Sequence, residues 1–405
     1  MIKEIEIKNY KSVVEMKVSL GRVNVLIGAN GSGKSNILEA ITFGAAAAND
    51  KLDNEFLVSR GIRVSDDPRF MRSAFDVQAT NNNVTVSFAN ETGVITYPLS
   101  KSNDNPYSSW IIKNTRDAPR FESLGVSDVF VAIRGQELAV RMNDLMRGNP
   151  KLSDQPYHTA DDSNIIALLR QLSMQVNELV VHEQKDLRNF LVYSPENSAL
   201  RTFQEDGQIQ PLGIRGEGLF KLLKYIGKSD STGMIAIKDK LTFIDWFSDF
   251  EVAADLAPSE RRLKIRDRYL DENLAYFDQQ SANEGFLFLL FYFCLFLSKD
   301  TPKFFAIDNI DASLNPKLCS QLMTELVDLA AKTDKQAILT THNPAILDGL
   351  DLTDDDQRLF VVSRNNQGHT RIKRILAPRL VEGQSPVRLS EAFLRGYLGG
   401  LPDNF

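Results

Sequence analysis

Cysteine is scarce: Cys294 and Cys319 are the only two in 405 residues, too few for a disulfide scaffold. Both fall in segments whose pattern predicts apolar helices, which suits small buried thiols in a reducing compartment, and the cytoplasm is expected. No apolar run is long enough to cross a bilayer. The most apolar stretch, Gly285 to Leu297 (GFLFLLFYFCLFL), falls short of the roughly 20 residues a span requires, so it predicts a buried core helix and no membrane partner. An export signal is missing too, since the opening MIKEIEIKNYKSV alternates apolar and polar residues as a first strand does. A formal charge of −6 gives no global attraction to nucleic acid, so any DNA contact must rest on a local basic patch. There are no sustained heptads over three or four repeats, which argues against a long coiled-coil arm, and no internal repeat or low-complexity tract is found. The short acidic cluster Asp354 to Asp356 reads as a solvated turn.

What is present is a globular composition, 43% hydrophobic and 25% charged, with length for two or three domains or for one α/β domain with insertions. Ile2 to Ile7 and Val13 to Leu20 alternate, and Val23 to Ile27 is a short apolar run ending at a glycine. From Lys34 the pattern turns helical, with Ile37, Leu38 and Ile41 on one stripe. The stretches SAFDVQA, NVTVSFA and GVITYPL between Ser73 and Leu99 predict a meander. From about Trp110 to Ala257 the reading is mainly helical, the longest candidate being Asn164 to Asn189. A strand over Arg262 to Tyr269, the apolar helix Glu284 to Leu297 and a strand over Lys303 to Ile307 follow. Then come a helix over Pro316 to Ala331, a strand over Gln336 to Leu339, a short helix from Pro344 and a strand over Arg358 to Val362. That alternation implies a mostly parallel sheet with helices on its faces.

The strongest chemical signal is GANGSGKS at residues 28–35, a full G-x-x-x-x-G-K-[ST] match between an apolar strand and a helix. Gly28, Gly31 and Gly33 let backbone N–H groups turn inward around phosphate oxygens, and the helix N-terminus adds a favourable dipole. Lys34 supplies a point charge, and the Ser35 hydroxyl is the expected Mg2+ ligand of a bound ATP. Ala29, Asn30, Ser32 and Asn36 complete the candidate nucleotide-binding segment. Downstream, KFFAIDNID delivers Asp308 at the C-terminal end of a strand, where open α/β sheets place ligand chemistry, and Asp308 reads as a carboxylate that holds Mg2+ through water. The strand ending in TTHNP brings His342 to the same edge, where an imidazole could donate to the γ-phosphate.

GANGSGKSN, IDNIDASLNP and LTTHNP, in that order after IKEIEIKNYKS, resemble the ABC-type ATPase heads of the RecF, SMC and OLD-like group. The likeness covers roughly residues 1–45 and 280–400 and extends into the closing LRGYLGGLP, so the chain is expected to be complete. The fold this implies is an α/β P-loop NTPase head of ABC type, with a mostly parallel sheet, an antiparallel β-rich N-terminal lobe and an inserted helical domain. The expected division is 1–109 for the first part of the head, 110–258 for a helical insertion or lid, and 259–405 for the second part. Heads of this group pair around ATP as homodimers or higher homo-oligomers, each nucleotide meeting a signature loop of the other copy. The matching stretch here is QQSANEGFLFLL, which puts Asn283 where the family has serine, Ser281 as the other candidate, and Gly285 as the close-approach glycine.

A second departure concerns the residue after Asp308. The family carries a glutamate there as general base; this chain has Asn309, whose amide can orient a water but cannot accept its proton, so tight Mg-ATP binding with slow hydrolysis is expected. Asp311 could substitute, although the family places that position in the loop facing the opposite subunit. The glutamine that links nucleotide to the helical lobe is Gln78 or Gln136. The chain is further similar to the ATPase subunits of the Septu and PARIS antiviral systems, which implies an ATP-gated sensor or scaffold acting with a separately encoded nuclease and carrying none of its own. The other reading is a RecF-like repair ATPase binding DNA directly, for which Arg262, Lys264, Arg266 and Arg268 would line one strand face. A nucleotide kinase or GTPase fits poorly, because no Asn-Lys-x-Asp segment is found.

Overall fold

A computed structural model describes residues 1–65, 67–73, 82–91, 93–101, 108–113, 185–202, 209–252, 262–271, 273–274, 276–377 and 387–400. The segment SAFDVQA from residue 74 onward, most of the helix expected over Asn164 to Asn189, and both Gln78 and Gln136 lie outside the described residues.

The N-terminal strands β1 (Glu4–Tyr10) and β2 (Val13–Ser19) form a hairpin, and β3 (Val23–Ile27) runs into α1 (Lys34–Ala48) and the short α2 (Asn54–Ser59). Strands β4 (Val84–Ala89), β5 (Val94–Lys101) and β6 (Trp110–Ile112) extend the hairpin into an antiparallel sheet of order β2-β1-β4-β5-β6. Next come β7 (Val192–Tyr193), α3 (Asn197–Thr202), α4 (Leu219–Ser229), α5 (Ser231–Leu241), and a separate two-stranded ribbon of β8 (Phe247–Val252) and β9 (Leu263–Asp267). The remainder is α6 (Glu284–Leu297), β10 (Phe304–Ile307), α7 (Pro316–Lys332), β11 (Gln336–Thr341), a 3-10 turn (Pro344–Gly349), β12 (Gln357–Arg364), β13 (Thr370–Ile375) and α8 (Leu389–Leu394).

A second sheet, of order β13-β12-β3-β11-β10-β7, organises the molecule. Its strands are parallel except β13, which closes one edge antiparallel to β12. Side chains alternate across this sheet and divide two hydrophobic cores between them. Val23, Val25, Ile27, Phe305, Ile307, Ala337 and Leu339 face the core shared with α4 to α7. Leu26, Phe304, Ala306, Ile338, Phe360 and Val362 face the other, shared with α1 and the antiparallel sheet. The layering is therefore antiparallel sheet with α1, parallel sheet, then helices; one face carries a sheet as well as a helix where the sequence pattern suggested helices alone. Helix α6 explains its composition by position: residues 285–296 are all buried, and a helix apolar all round needs neighbours all round.

The described parts of the segment 110–258, residues 110–113, 185–202 and 209–252, are woven into these layers. β6 ends the antiparallel sheet, β7 pairs with β10 at the edge of the parallel sheet, and residues of α4, α5 and β8 belong to the same core as α6. Two-residue β7 has no periodicity to announce it; its pairing is set by Asp308 N–H donating to the Tyr193 carbonyl at 2.8 Å and Ala306 N–H to that of Leu191 at 2.9 Å.

One buried cation tests the packing at the opposite end of the sheet. Lys335 is 2% exposed, and its Nζ donates to the Leu295 carbonyl at 2.6 Å and to the Thr301 hydroxyl. Burial pushes its pKa from 10.5 down to about 7. Above that value the unfolded chain holds a proton that the folded chain has lost, so this residue makes stability rise with pH until the unfolded lysine titrates. Urea denaturation of the wild type and of Lys335→Met at pH 7 and pH 9 should show the wild type gaining on the variant by on the order of 2 kcal/mol. A difference that does not change with pH would mean that the ammonium stays charged inside the fold.

Candidate functional site

Because β12, β3, β11 and β10 are parallel neighbours, their C-terminal ends share one edge, and the sequence motifs converge there. The loop between β3 and α1 is wound by left-handed glycines, Gly31 at φ 74° and Gly33 at φ 107°. At Gly33 a side chain would also collide with Thr370, since a Cβ would lie 2.0 Å from its Oγ1. At Gly28 a Cβ would lie 2.1 Å from the Val362 carbonyl oxygen, so the loop can leave the sheet there only without a side chain. The first backbone hydrogen bond of α1 runs from Ile37 N–H to the Gly33 carbonyl at 3.1 Å, which leaves the amides of Lys34, Ser35 and Asn36 without a partner within the helix. A helix start with free amides and no acidic residue in its first turn is suited to an anion.

Lys34 is 5% exposed and folds back on its own loop, donating to the carbonyls of Gly28 at 2.8 Å and Ala29 at 3.1 Å. Burial pushes its pKa down to about 8, against the opposing fields of Asp308 and Asp311. Ser35 donates its hydroxyl to Asp308 Oδ2 at 3.1 Å, joining the loop to the end of β10. Asp308 Oδ1 accepts from the Thr340 hydroxyl of β11, and the neighbouring Thr341 hydroxyl donates to Asp311 Oδ1 at 2.6 Å. Asn309 is exposed at φ 56°, a left-handed conformation that asparagine tolerates, with its N–H on Thr340 Oγ1 at 2.9 Å. His342 opens to solvent beyond β11; desolvation against the loop, with the Lys34 ammonium nearby, lowers its pKa, and the Gly28 carbonyl and both aspartates oppose that shift. A neutral imidazole with one N–H to give is the form favoured near pH 7.

Lys34, Ser35, Asp308, Asn309 and His342 thus gather at one edge. Asn30 and Gly31 are exposed at the loop's tip, while the buried Ser32 hydroxyl has no partner among the described residues. Asn36 sits behind the loop, donating to Ser12 Oγ at 2.6 Å and accepting from Arg63 at 3.3 Å. The signature candidates stand apart. Asn283 caps α6 by accepting from Gly285 N–H at 2.8 Å, and the Ser281 hydroxyl bonds Asp278 at 3.3 Å; both residues are exposed. Gly285 is buried, a Cβ there lying 3.2 Å from the Ser313 carbonyl, so the start of α6 packs tightly on the loop that follows β10. Ser313 strengthens that contact by donating to Glu284 at 2.9 Å.

Several supports of the loop carry no sequence motif. Thr370, at the start of β13, donates to the Ser32 carbonyl at 3.1 Å and pairs with Ser12 Oγ at 2.7 Å. The Gly400 carbonyl accepts from Ala29 N–H at 3.1 Å. Glu39, one turn into α1 from Ser35 and 4% exposed, is held by Lys11 and Arg63. Small polar residues in distant segments leave no periodic trace, and only a search for polar residues flanking strand ends could have raised them.

The donor set fits a magnesium-bound triphosphate. Ser35 offers a hard oxygen ligand and, 3.1 Å from it, Asp308 offers a carboxylate. That matches a cation which keeps its waters and takes most of its remaining ligands from phosphates.

The first flank of the site, residues 1–106, matches an AAA ATPase domain model (AAA_15). Residues 236–348, spanning Asp308 and His342, match a second model (AAA_21) described as "AAA domain, putative AbiEii toxin, Type IV TA system". No curated protein sequence matches the chain. Among solved structures, the Smc head bound to the C-winged helix domain of ScpA superposes with a TM-score of 0.50 at 16% identity, covering 93% of this chain and 98% of that one. The SMC head domain from Thermotoga maritima gives 0.44 at 14% identity, over 93% and 99% of the two chains. The Smc head domain with an extended coiled coil, bound to the C-terminal domain of ScpA derived from Pyrococcus furiosus, gives 0.45 at 15%, over 93% and 96%. The chain has the P-loop ATPase head fold of the SMC type, and both flanks of its site fall within AAA-type ATPase domains.

Proposed function

We propose that this chain is a Mg-ATP-binding head that closes on a second copy of itself and works as an ATP-gated sensor or scaffold of a bacterial antiphage system, controlling a separately encoded nuclease. The observation that carries the ATP-gated part is the junction of Ser35 with Asp308 at 3.1 Å, followed by an asparagine where a carboxylate would make turnover efficient. A site able to hold Mg-ATP but poorly able to deprotonate water suits a device whose state is set by occupancy. The antiphage and nuclease parts rest on the resemblance to Septu and PARIS ATPase subunits. The toxin–antitoxin description of the model matched by residues 236–348 lies in the same area of biology.

On binding, the amides at the start of α1 would receive phosphate oxygens, and the Lys34 ammonium would exchange two carbonyls for phosphates. Magnesium held at Ser35 and Asp308 would neutralise phosphate charge and fix the phosphate geometry. His342 would donate its N–H toward the terminal phosphate, and the Asn309 amide would orient a water without taking its proton. Ser281 and Asn283, facing outward on their own subunit, would complete the site of the partner copy. For ATP to turn a population that is 1% closed into one 99% closed, the closed pair must bind it about 10⁴-fold more tightly.

Direct DNA binding, as in a RecF-like repair ATPase, is the second reading. The β9 face does expose Arg262, Lys264, Arg266 and Arg268. Its register sets Glu251 opposite Lys264 and Asp249 opposite Arg266, and both cations lie over the Tyr276 ring, which dilutes the field a phosphate backbone would meet. Salt-dependent DNA affinity of the chain without a partner would favour repair; recovery of a nuclease with the chain from its host would favour the sensor reading.

Lys34→Met separates a structural lysine from a functional one. The buried ammonium costs desolvation in the free protein, so the variant should melt at or above the wild-type temperature while its affinity for Mg-ATP falls by about 100-fold or more. For hydrolysis, a steady-state phosphate-release assay should give slow turnover that rises tenfold or more in Asn309→Glu. Brisk wild-type turnover that Asn309→Ala leaves unchanged would contradict the role given to that position.

A further inference from the structure

We propose that Thr340 is the positioning residue that orients the magnesium-binding carboxylate and holds the Asn309 backbone in place, an inference that rests on the Mg-ATP reading of the site. Thr340 is fully buried at the C-terminal end of β11, the strand between the phosphate-loop strand β3 and β10. Its hydroxyl stands between two groups of the β10 end: it donates to Asp308 Oδ1 and accepts from Asn309 N–H at 2.9 Å. The Thr340 carbonyl accepts from Ile310 N–H at 3.0 Å, so three successive residues after β10 are referred to this one threonine.

A hydroxyl carries one proton, and here its destination is determined. Because the Asn309 amide is already a donor to Thr340 Oγ1, the threonine proton goes to Asp308. Ser35 sends its own proton to the other oxygen, Oδ2, at 3.1 Å. Both carboxylate oxygens therefore accept, which is what an ionised ligand requires, and the two donors differ in what they do next. Ser35 is itself a metal-ligand candidate and must release Oδ2 when the cation arrives. Thr340 lies behind the carboxylate, is not a ligand candidate, and keeps Oδ1 fixed while Oδ2 changes partner. The same hydroxyl anchors the Asn309 backbone at φ 56° by accepting from its N–H. Without it, the carboxylate is free to rotate and the residue placed to orient water loses its tether.

This role makes a demand that general packing does not. The phosphate loop would bind the triphosphate through amides and Lys34 with or without metal, so loss of Thr340 Oγ1 should fall on the magnesium-dependent part of affinity. Thr340→Val keeps the β-branched shape in a buried strand and removes the hydroxyl; Thr340→Ser keeps the hydroxyl and removes a methyl. Calorimetric titration of ATP in excess MgCl2 and in EDTA gives, for each protein, the ratio of the two affinities. The expected result is that Thr340→Val lowers this ratio tenfold or more with its EDTA affinity within twofold of wild type, and that Thr340→Ser restores the ratio. An unchanged ratio in Thr340→Val overturns the proposal, as does an equal loss with and without magnesium, which would mark a packing role only. Wild-type protein that binds no ATP in MgCl2 would instead sink the underlying Mg-ATP reading, so the two failures are distinguishable.

Discussion

A lysine ammonium held out of water must be given partners, and much of the site follows from how that is done for Lys34. The chain supplies the Gly28 and Ala29 carbonyls at contact distance and the fields of Asp308 and Asp311 farther off, none of which is a full ion pair. The charge is therefore held at a cost, which a triphosphate would relieve. Holding it also dictates the backbone. The loop has to turn through Gly31 and Gly33, pass so close to β12 that a Cβ on Gly28 would lie 2.1 Å from the Val362 carbonyl oxygen, and deliver the first amides of α1 unpaired within the helix. The parallel sheet supplies the rest by placing the ends of β10 and β11 beside that loop.

Much of this was legible in the sequence because it is local. A glycine–lysine–serine spacing at a strand-to-helix junction describes backbone shape and charge together, and β3 and α6 take the bounds their apolar runs suggested. Asp308 and His342 were placed correctly at strand ends by the same reasoning. What escaped was non-local. β7 is two residues long and owes its place to a pairing with β10 more than 100 positions away. β13 is an edge strand whose outward residues are charged, so no apolar alternation marks it. No sequence pattern singles out the side chains of Thr340 and Thr370, and only the folded chain reveals their hydroxyls on Asp308 and the Ser32 carbonyl. The exposed basic stripe of β9 was visible in sequence, but the acidic residues set across from it by the β8 register were not.

The two candidate signature residues illustrate the division between what one chain holds and what a pair would hold. Within the chain Asn283 is occupied as a helix cap and Ser281 with its own turn, yet both face outward from the start of a helix fixed by Gly285, Glu284 and Ser313. A rigid mount with an exposed polar tip is useful to a second copy. The slow chemistry and the closure in pairs proposed above would belong together, because a state that must persist cannot be erased quickly by hydrolysis.

The most direct measurement is a structure of the chain with Mg2+ and a non-hydrolysable ATP analogue. The triphosphate should lie against the amides of residues 33–36, with Lys34 Nζ moved from the Gly28 and Ala29 carbonyls onto phosphate oxygens and Ser35 Oγ turned from Asp308 to the metal. Nucleotide bound elsewhere, or Lys34 still seated on its own loop with the analogue present, would contradict the Mg-ATP reading of the site.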